Sequence, residues 1–299
     1  MRPPDDFGLL GGGRYELLDP LGSGGVSAVF LARDLYGDRS CAVKVLLSHA
    51  ATKVRARSRF LQEAHTTSHL RHPNIVRVHE IGAEAAPYYY VMELAAGSLA
   101  NHARLRGPFE PAVSLGFVFQ ILGALDHAHR AGVIHRDVKP HNVLVMPDGD
   151  LRLTDFGIAK WIDGPPLTQP GDALGTLAYM APEQRADPRN AGPRSDLYGV
   201  GATLYHLVTR RRPIDVLLLP TDPSILEWIP EPVRPIVVRS TAPRAEDRYP
   251  SARAMAEAVA DAWSSVDPTR SSTERMEGFG GDDPLIPRQP PPGSEGEPG

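Results

Sequence analysis

The stretch VIHRDVKPHNVLV, residues 133–145, crowds polar side chains onto a short turn between two apolar ends. Asp137 could accept a proton from a hydroxyl nucleophile, or at least orient that hydroxyl. Lys139 could neutralise negative charge that develops on a reacting group. Asn142 offers a side-chain oxygen to a hard cation such as Mg²⁺. These residue types on one loop indicate a catalytic turn.

Two more polar residues of this turn favour structural roles, with His135 packing the loop and Arg136 placed to meet an anion. Further along, TDFGIAK (154–160) follows a short apolar strand. Its Asp155 could supply a second oxygen ligand for a cation. Taken singly, each acidic residue is better explained as a turn residue. The order and spacing of the whole set favour a site.

A glycine-rich loop, LGSGGVSAVF (21–30), lies between two predicted strands near the beginning of the chain. Glycines allow the backbone to approach a ligand closely and to direct N–H groups at an anion. A dinucleotide-binding site would place a helix directly after the glycines, whereas SAVFLAR is typical of a strand. The loop therefore fits either a phosphate-covering turn or a plain glycine hairpin.

Lys44 lies within CAVKVL, a predicted strand with apolar neighbours on both sides. A lysine in such a strand can simply point to solvent. The alternative is a buried positive charge under the glycine loop, in contact with phosphates. A buried lysine needs a carboxylate to hold it, and Glu63, on the predicted helix that follows, is the candidate.

Composition limits the classes of function. The chain has 299 residues, a formal net charge of −4 and a single cysteine, Cys41. The charge does not call for nucleic acid as a partner, and one cysteine excludes an intrachain disulfide and a cysteine metal cluster. The first residues lack the pattern of a signal peptide. The longest apolar run, Phe117–Ala128, is shorter than the roughly 20 residues that span a bilayer. We therefore predict a cytoplasmic protein without a membrane segment, and we expect Cys41 to be a buried strand residue.

The pattern of apolar residues divides the chain into parts. Residues 1–13 are predicted to be a flexible segment, and 264–299 a disordered tail rich in Pro, Gly and Ser. The folded part, 14–263, begins β-rich and becomes helical after about residue 99. We therefore predict an α+β fold of two lobes. The small lobe covers about 14–92, a hinge covers about 93–98, and the large lobe covers about 99–263.

Several motifs follow one another along the chain, and this ordered set is highly specific for one protein family. They are GSGGVSAV (22–29), AVK (42–44), RFLQEA (59–64), HPNIV (72–76), VMEL (91–94), HRDVKPHN (135–142), DFG (155–157), GTLAYMAPE (175–183), SDLYGVG (195–201) and DRYPSA (247–252). In this set the chain resembles the eukaryotic-type protein kinases, and their bacterial serine/threonine branch in particular. The resemblance covers most of the predicted folded part and implies the two-lobed protein kinase fold.

The resemblance implies a binding site for ATP. The residues that would cover its phosphates are Leu21, Gly22, Ser23, Gly24, Gly25, Val26, Ser27, Ala28 and Val29. Lys44 would hold the α- and β-phosphates and pair with Glu63. Met92 would be the gatekeeper residue, and backbone groups of Glu93 and Ala95 would bind adenine.

Roles in catalysis follow from the same resemblance. Asp137 would be the catalytic base, with Lys139 beside it, and Asn142 and Asp155 would hold Mg²⁺. Thr176 would join the site next to the protein substrate. A second set would support the site: Glu183 would pair with Arg248 to fix the end of the activation segment, and Asp196 would brace the catalytic loop.

Some features depart from the family pattern. Ser27 replaces the third loop glycine, and the segment between Arg210 and Arg248 is short and lacks the usual motif, which leaves the choice of substrate open. The activation segment offers Thr168 and Thr176 as hydroxyl sites. A phosphothreonine at position 168 would gain charge-assisted hydrogen bonds with Arg136 and order this segment. The alternative is a segment that is ordered without phosphate.

The resemblance favours an ATP- and Mg²⁺-dependent serine/threonine protein kinase of bacterial signalling, which acts on protein substrates and phosphorylates itself. The alternative is a pseudokinase scaffold that binds nucleotide without phosphotransfer. Loss of Lys44, Asp137 or Asp155 would have indicated it, and all three are present. A small-molecule phosphotransferase of related fold is disfavoured by GTLAYMAPE, which resembles a platform for protein substrates. Relatives also suggest a homodimer through the small lobe.

Overall fold

The small lobe is an antiparallel sheet with one long helix packed on it. The computed structural model describes residues 8–156 and 177–267, and within them the strands of this sheet lie in the order β1-β2-β3-β4-β6-β5. Their bounds are Leu9–Leu10 (β1), Tyr15–Ser23 (β2), Ser27–Asp34 (β3), Arg39–Leu46 (β4), Val78–Gly82 (β5) and Tyr89–Met92 (β6).

Strand β4 is buried on both faces, and this decides where Lys44 points. One face contributes Cys41, Val43 and Val45 to an apolar cluster beneath the sheet. Because side chains alternate along a strand, Ala42, Lys44 and Leu46 share the opposite face, and Ala42 and Leu46 pack there against residues of the long helix. The expectation that Cys41 is a buried strand residue is confirmed.

The small lobe has two helices, α1 (Ser48–Ala51) and α2 (Val54–His69). Phe60, Ala64 and Thr67 are the buried residues of α2, and their spacing of four and three residues forms one stripe along the helix. Glu63 is adjacent to this stripe, on the side that faces β4. The sequence places helix and strand so that a carboxylate meets the buried lysine.

The first strand alters the predicted boundary of the small lobe. Residues 1–13 were expected to be flexible, but Leu9 and Leu10 pair with Glu16 and Tyr15 of β2, and Leu10 is 4% exposed. Glycines 11–13 all have positive φ and form the turn that returns the chain to β2. Burial of Leu10 therefore brings residues from 8 onward into the sheet, while residues 1–7 lie outside the described part.

The large lobe is built around helix α4 (Pro111–Arg130), most of whose residues are buried. Around it lie α3 (Leu99–Arg106), α5 (Pro182–Ala186), α6 (Pro193–Thr209), α7 (Arg234–Ser240) and α8 (Ala252–Val266). A small sheet of β7 (Gly97–Ser98), β8 (Val143–Val145) and β9 (Leu151–Leu153) covers the end that faces the small lobe. A bridge between Ile75 and Leu153 ties the two lobes together.

Helix α4 is longer than its apolar run Phe117–Ala128 suggested. Among the described residues it is the one helix long and apolar enough to cross a membrane by length and composition, and 72% of its most apolar window is buried against the rest of the lobe. The central helix of a folded lobe meets the same criteria, so this finding is weak evidence for a membrane segment.

The end of the large lobe differs in detail from the prediction. Helix α8 continues to Val266 because Trp263 is buried against Phe119 of α4. Between α6 and α7 the chain forms three short 3₁₀ helices, Pro213–Leu218, Pro223–Trp228 and Glu231–Val233. Proline lies in the first turn of each, a position that suits its fixed φ and missing N–H.

We predict that Gly201→Ala destabilises the large lobe by about 1–3 kcal/mol, because the added methyl group would overpack the contact between α6 and α7. A Cβ at this position would lie 2.0 Å from Ser240 Oγ and 2.8 Å from Ser240 Cβ. The measurement is the free energy of unfolding in denaturant. Gly192→Ala, at the start of the same helix, is the control because a Cβ there meets no atom within 4 Å. Equal losses for the two variants would contradict the packing argument.

Candidate active site

The site centres on a buried ammonium group held by two carboxylates. Lys44 Nζ lies 2.7 Å from Glu63 Oε1 and 2.8 Å from Asp155 Oδ1. The Tyr90 hydroxyl donates to the same Glu63 oxygen at 3.0 Å. Burial alone would lower the pKa of Lys44, but the charges of Asp155 and Glu63 outweigh it, and its pKa lies well above the usual value. Lys44 therefore remains charged in the interior.

Three different elements supply this group. Lys44 comes from β4, Glu63 from α2 and Asp155 from the turn after β9. Asp155 has a φ of +59°, in the left-handed region that few residues other than glycine adopt. Its side chain is also the most exposed of the three, at 26% against 9% for Lys44. The strained turn presents a carboxylate at the mouth of the cleft.

The polar turn at residues 133–145 folds back on itself. Asn142 donates through Nδ2 to the backbone oxygen of Asp137 at 2.7 Å and to its Oδ2 at 2.9 Å. Lys139 Nζ lies 3.0 Å from Asp137 Oδ1. The 3₁₀ turn Pro140–Asn142 brings Asp137 and Asn142 into direct contact.

Asp196, near the start of α6, holds this loop from below. Its carboxylate is 1% exposed and accepts hydrogen bonds from the backbone N–H groups of His135, at 2.9 Å, and Arg136, at 2.7 Å. His129 Nε2 lies 2.8 Å from the same carboxylate. Arg136 has a φ of +66°, so the backbone is strained where it is held. These contacts hold the catalytic turn in place.

Sequence reasoning missed two of these neighbours. It gave His129 no role, yet His129 contacts Asp196. It also gave Gln184 no role, whereas its Nε2 donates to the backbone oxygen of Arg136 at 2.7 Å. No local pattern marks either residue, since both contacts join segments far apart in the chain. His135 fits the packing role expected for it, because it is fully buried with its ring against Phe156.

The glycine loop forms the hairpin between β2 and β3. Gly24 N–H donates to the Ser27 carbonyl at 2.8 Å, which closes the turn. The carbonyls of Gly25 and Val26 are tied to the start of α1, by His49 Nε2 at 2.9 Å and Leu47 N–H at 2.9 Å. The hairpin is therefore anchored beside the cleft.

The other loop residues differ in exposure. Leu21 and Val26 are half exposed, but Ala28 is buried in the cluster beneath the sheet. Only the backbone of Ala28 could reach a ligand in the cleft. Val29 is the register partner of Lys44, so the loop ends beside Lys44 on the neighbouring strand.

The predicted hinge follows the end of β6. Met92, its last residue, is buried. Glu93 donates its N–H to Arg77 and accepts the Arg77 N–H on its side chain, so its carbonyl is the backbone group left for a ligand. Ala95 makes no hydrogen bond within the described part of the chain, which leaves both of its backbone groups for a ligand. Ala96 N–H then donates to Val145 and starts the large lobe.

A buried ion pair fixes the segment that leads into α5. Arg248 donates to both oxygens of Glu183, at 2.7 and 2.8 Å, and is 1% exposed. Ser195 Oγ donates to the same carboxylate at 2.7 Å. Burial pushes the pKa of Glu183 up, but the hydrogen bonds from Arg248 and Ser195 outweigh it and the net shift is downward. Thr168 and Thr176, the remaining predicted site residues, lie outside the described residues.

Comparisons with known proteins agree with this arrangement. The family model of the protein kinase domain matches residues 15–217. The serine/threonine-protein kinase PrkC of Bacillus subtilis is 36% identical over 277 residues, covering 88% of this chain and 42% of PrkC. The serine/threonine-protein kinase PknL of Mycobacterium tuberculosis is 36% identical over 276 residues, covering 87% of this chain and 69% of PknL.

A solved structure shows the same fold. The crystal structure of the Mycobacterium tuberculosis PknI kinase domain aligns with a TM-score of 0.65 at 27% identity, covering 88% of this chain and all of that one. The family match ends at residue 217, inside the segment of short 3₁₀ helices where the sequence departs from the expected pattern. The chain spans less than half the length of PrkC.

We predict that Glu183→Gln destabilises the fold by about 3 kcal/mol at neutral pH, because it leaves Arg248 buried without its counter-charge. The measurement is the free energy of unfolding, with Glu257→Gln as the control. Glu257 lies 3.5 Å from Arg253 in an exposed pair, and such a pair contributes less than about 1 kcal/mol.

The pH dependence of the same variant gives a second check. The folded-state pKa of Glu183 lies below its usual value of 4.5, so the contribution is present above that value and is lost as the pH falls through the folded pKa. The difference in stability between the wild type and Glu183→Gln should therefore shrink below about pH 4.5. A difference that does not change with pH would contradict the ion-pair assignment.

Proposed function

The chain belongs to the protein kinase domain family, in its bacterial serine/threonine branch, and on that basis we propose that it transfers the γ-phosphoryl group of ATP to serine and threonine hydroxyls of proteins. The observation that carries the proposal is the assembled group of Lys44, Glu63 and Asp155 beside the braced turn of Asp137. The proposal assigns nucleotide binding to the first group and phosphoryl transfer to the second.

Lys44 and the glycine loop hold the nucleotide in this proposal. Glu63 fixes the direction of the Lys44 ammonium, which then faces the α- and β-phosphates as a localised positive charge. The hairpin over Lys44 lets backbone N–H groups approach the phosphates. Adenine lies against the hinge, at the Glu93 carbonyl and the backbone of Ala95. The result is a nucleotide with its terminal phosphate directed at Asp137.

Asp137 acts on the acceptor hydroxyl. Its carboxylate orients the substrate O–H and accepts the proton as the oxygen bonds to the γ-phosphorus, while the bond to the β-phosphate oxygen breaks and ADP leaves. Lys139, at 3.0 Å from Asp137, offsets negative charge on the transferring group. Because Asn142 and Asp196 hold the turn, little reorganisation is needed at the moment of transfer.

The residues present suit a divalent cation, and we propose Mg²⁺. Asn142 directs its amide N–H groups at Asp137, and its side-chain oxygen accepts no hydrogen bond within the described residues. Asp155 adds a partly exposed carboxylate. These residues form no cluster of three acidic or histidine ligands in the part of the chain described. Mg²⁺ suits so sparse a set because it takes its other ligands from phosphates and water. When bound, the cation neutralises phosphate charge.

Membership of the family implies that the substrates are proteins. Which proteins they are depends on features that the family does not share. A homodimer through the small lobe stays a prediction from the resemblance. Regulation through Thr168 is also a proposal: phosphate at this position would meet Arg136, whose backbone N–H is fixed by Asp196. A charge-assisted hydrogen bond to an arginine so placed would order the segment before Thr176.

We predict that Asp137→Asn lowers autophosphorylation with Mg²⁺-ATP by about 10²- to 10⁴-fold, the contribution typical of a positioned general base. Incorporation of labelled phosphate and ATP binding are measured on the same samples. Asp187→Asn is the matched control, because within the described part of the chain the Asp187 side chain pairs with the surface residue Arg189 alone. ATP binding without transfer by the wild type would support the pseudokinase alternative and overturn the proposal.

We predict that mass spectrometry of the autophosphorylated protein finds phosphate on Thr168, and that Thr168→Ala lowers activity by about tenfold through loss of the contact with Arg136. Thr269→Ala, in the predicted tail, should leave activity unchanged. Full activity of Thr168→Ala would instead indicate a segment that is ordered without phosphate.

A further inference from the structure

A basic cluster lies where helix α6 ends, next to the segment that follows Thr176. Arg210, Arg211 and Arg212 are consecutive, and Arg211 and Arg212 are exposed. None of the three forms an ion pair with a carboxylate among residues 8–156 and 177–267. Asp215, the acidic residue of this segment, accepts a hydrogen bond from Tyr205 instead, at 3.3 Å. The cluster is therefore a local excess of positive charge on a chain whose net charge is −4.

Arg210 is held in a defined direction. Its φ of +58° ends α6 in the left-handed region. Its Nη1 lies 3.2 Å from His206 Nε2, and His206 Nδ1 lies 2.8 Å from the Arg211 carbonyl. Because the carbonyl can only accept, Nδ1 carries the proton and Nε2 accepts from Arg210. His206 is thus neutral, and it positions the guanidinium without cancelling its charge.

Arg210 is linked through His206 to the motif GTLAYMAPE (175–183), which resembles a platform for protein substrates. The His206 ring packs edge-to-face on Tyr179 of this motif, with centroids 6.2 Å apart. Tyr179 and Asp137 line one small cavity. Arg210 therefore lies one side chain, that of His206, away from Tyr179.

The outer arginines extend the charge away from the site. The Arg211 guanidinium stacks on Trp228, with 3.6 Å to the ring centroid, and Trp228 belongs to the second of the 3₁₀ helices. Stacking fixes the plane of the group and leaves its edge to donate hydrogen bonds. The segment that departs from the family pattern is thus the one that holds the cluster in place.

We propose that Arg210, positioned by His206, selects protein substrates that carry an acidic side chain close to the phosphoacceptor. The proposal rests on the proposed kinase function and names a substrate class for it. A carboxylate fits because a guanidinium donates two parallel hydrogen bonds to it. The contact lies away from the reacting atoms, so it contributes to binding of the ground state and transition state alike and lowers KM more than it raises kcat.

The test uses the full chain, Mg²⁺-ATP and peptides with a single threonine, in which Asp or Lys is placed in turn at each of the four positions on either side. The wild type should favour Asp at one or two positions, with kcat/KM about five- to tenfold higher than for Lys, mainly through KM. Arg210→Glu should reverse this preference at the same positions. Arg253→Glu, which makes the same change in net charge on α8, should leave it intact. Arg210→Gln, a milder change, should abolish the preference and serves if Arg210→Glu does not fold.

Autophosphorylation, measured in parallel, separates this inference from the proposed function. Active protein with equal kcat/KM for Asp and Lys peptides would overturn the inference alone. No transfer to any peptide or to the protein itself would overturn both. A loss of kcat in Arg210→Glu that is equal for all peptides and absent in a Thr168→Ala background would show that Arg210 serves the chain's own phosphothreonine, and the substrate proposal would be wrong.

Discussion

A lysine ammonium in the interior is unstable unless opposite charges lie next to it. The positions of the elements that carry those charges follow from this constraint. Desolvation of Lys44 is costly, and Glu63 and Asp155 offset it only if helix α2 and the turn after β9 both approach strand β4. One carboxylate belongs to the small lobe and the other to the large lobe. The electrostatics of a single side chain therefore fixes the orientation of a helix and the closure of the cleft together.

The same physical device recurs below the cleft. Asp196 is buried near the start of α6 and is compensated by backbone N–H groups of the catalytic turn, and Arg248 is buried beneath α5 and is compensated by Glu183. Asp196 belongs to a helix and its partners to an irregular turn, whereas Arg248 lies in the turn before α8 and its partner Glu183 belongs to helix α5. Irregular backbone with unusual φ, as at Arg136 and Asp155, is held by charge where regular hydrogen bonding cannot hold it.

The sequence predicted the two lobes because apolar periodicity changes from strand to helix near the hinge, and ordered motifs predicted Glu63 as the partner of Lys44 but not the contact of Lys44 with Asp155. Short-range patterns could not predict contacts between distant segments: nothing near His129 or Gln184 indicates Asp196 or Arg136. The edge strand at Leu9–Leu10 was also missed, because two residues between Gly8 and Gly11 are too short for a periodic signal. The direct contact of Asn142 with Asp137 depends on a 3₁₀ turn that Pro140 permits without requiring.

The late position of Arg248 in the chain has a consequence for biosynthesis. Glu183 lies 65 residues before its partner and Lys44 lies 111 residues before Asp155. Contacts of such long range close slowly and late in folding. During translation, the small lobe can form its sheet while the acceptor platform still lacks its anchor, since domains generally fold from the N-terminus as the chain emerges. A nascent chain that stops before residue 248 would contain the nucleotide-binding elements but no fixed platform. The ability to bind nucleotide would therefore form before the ability to transfer a phosphoryl group.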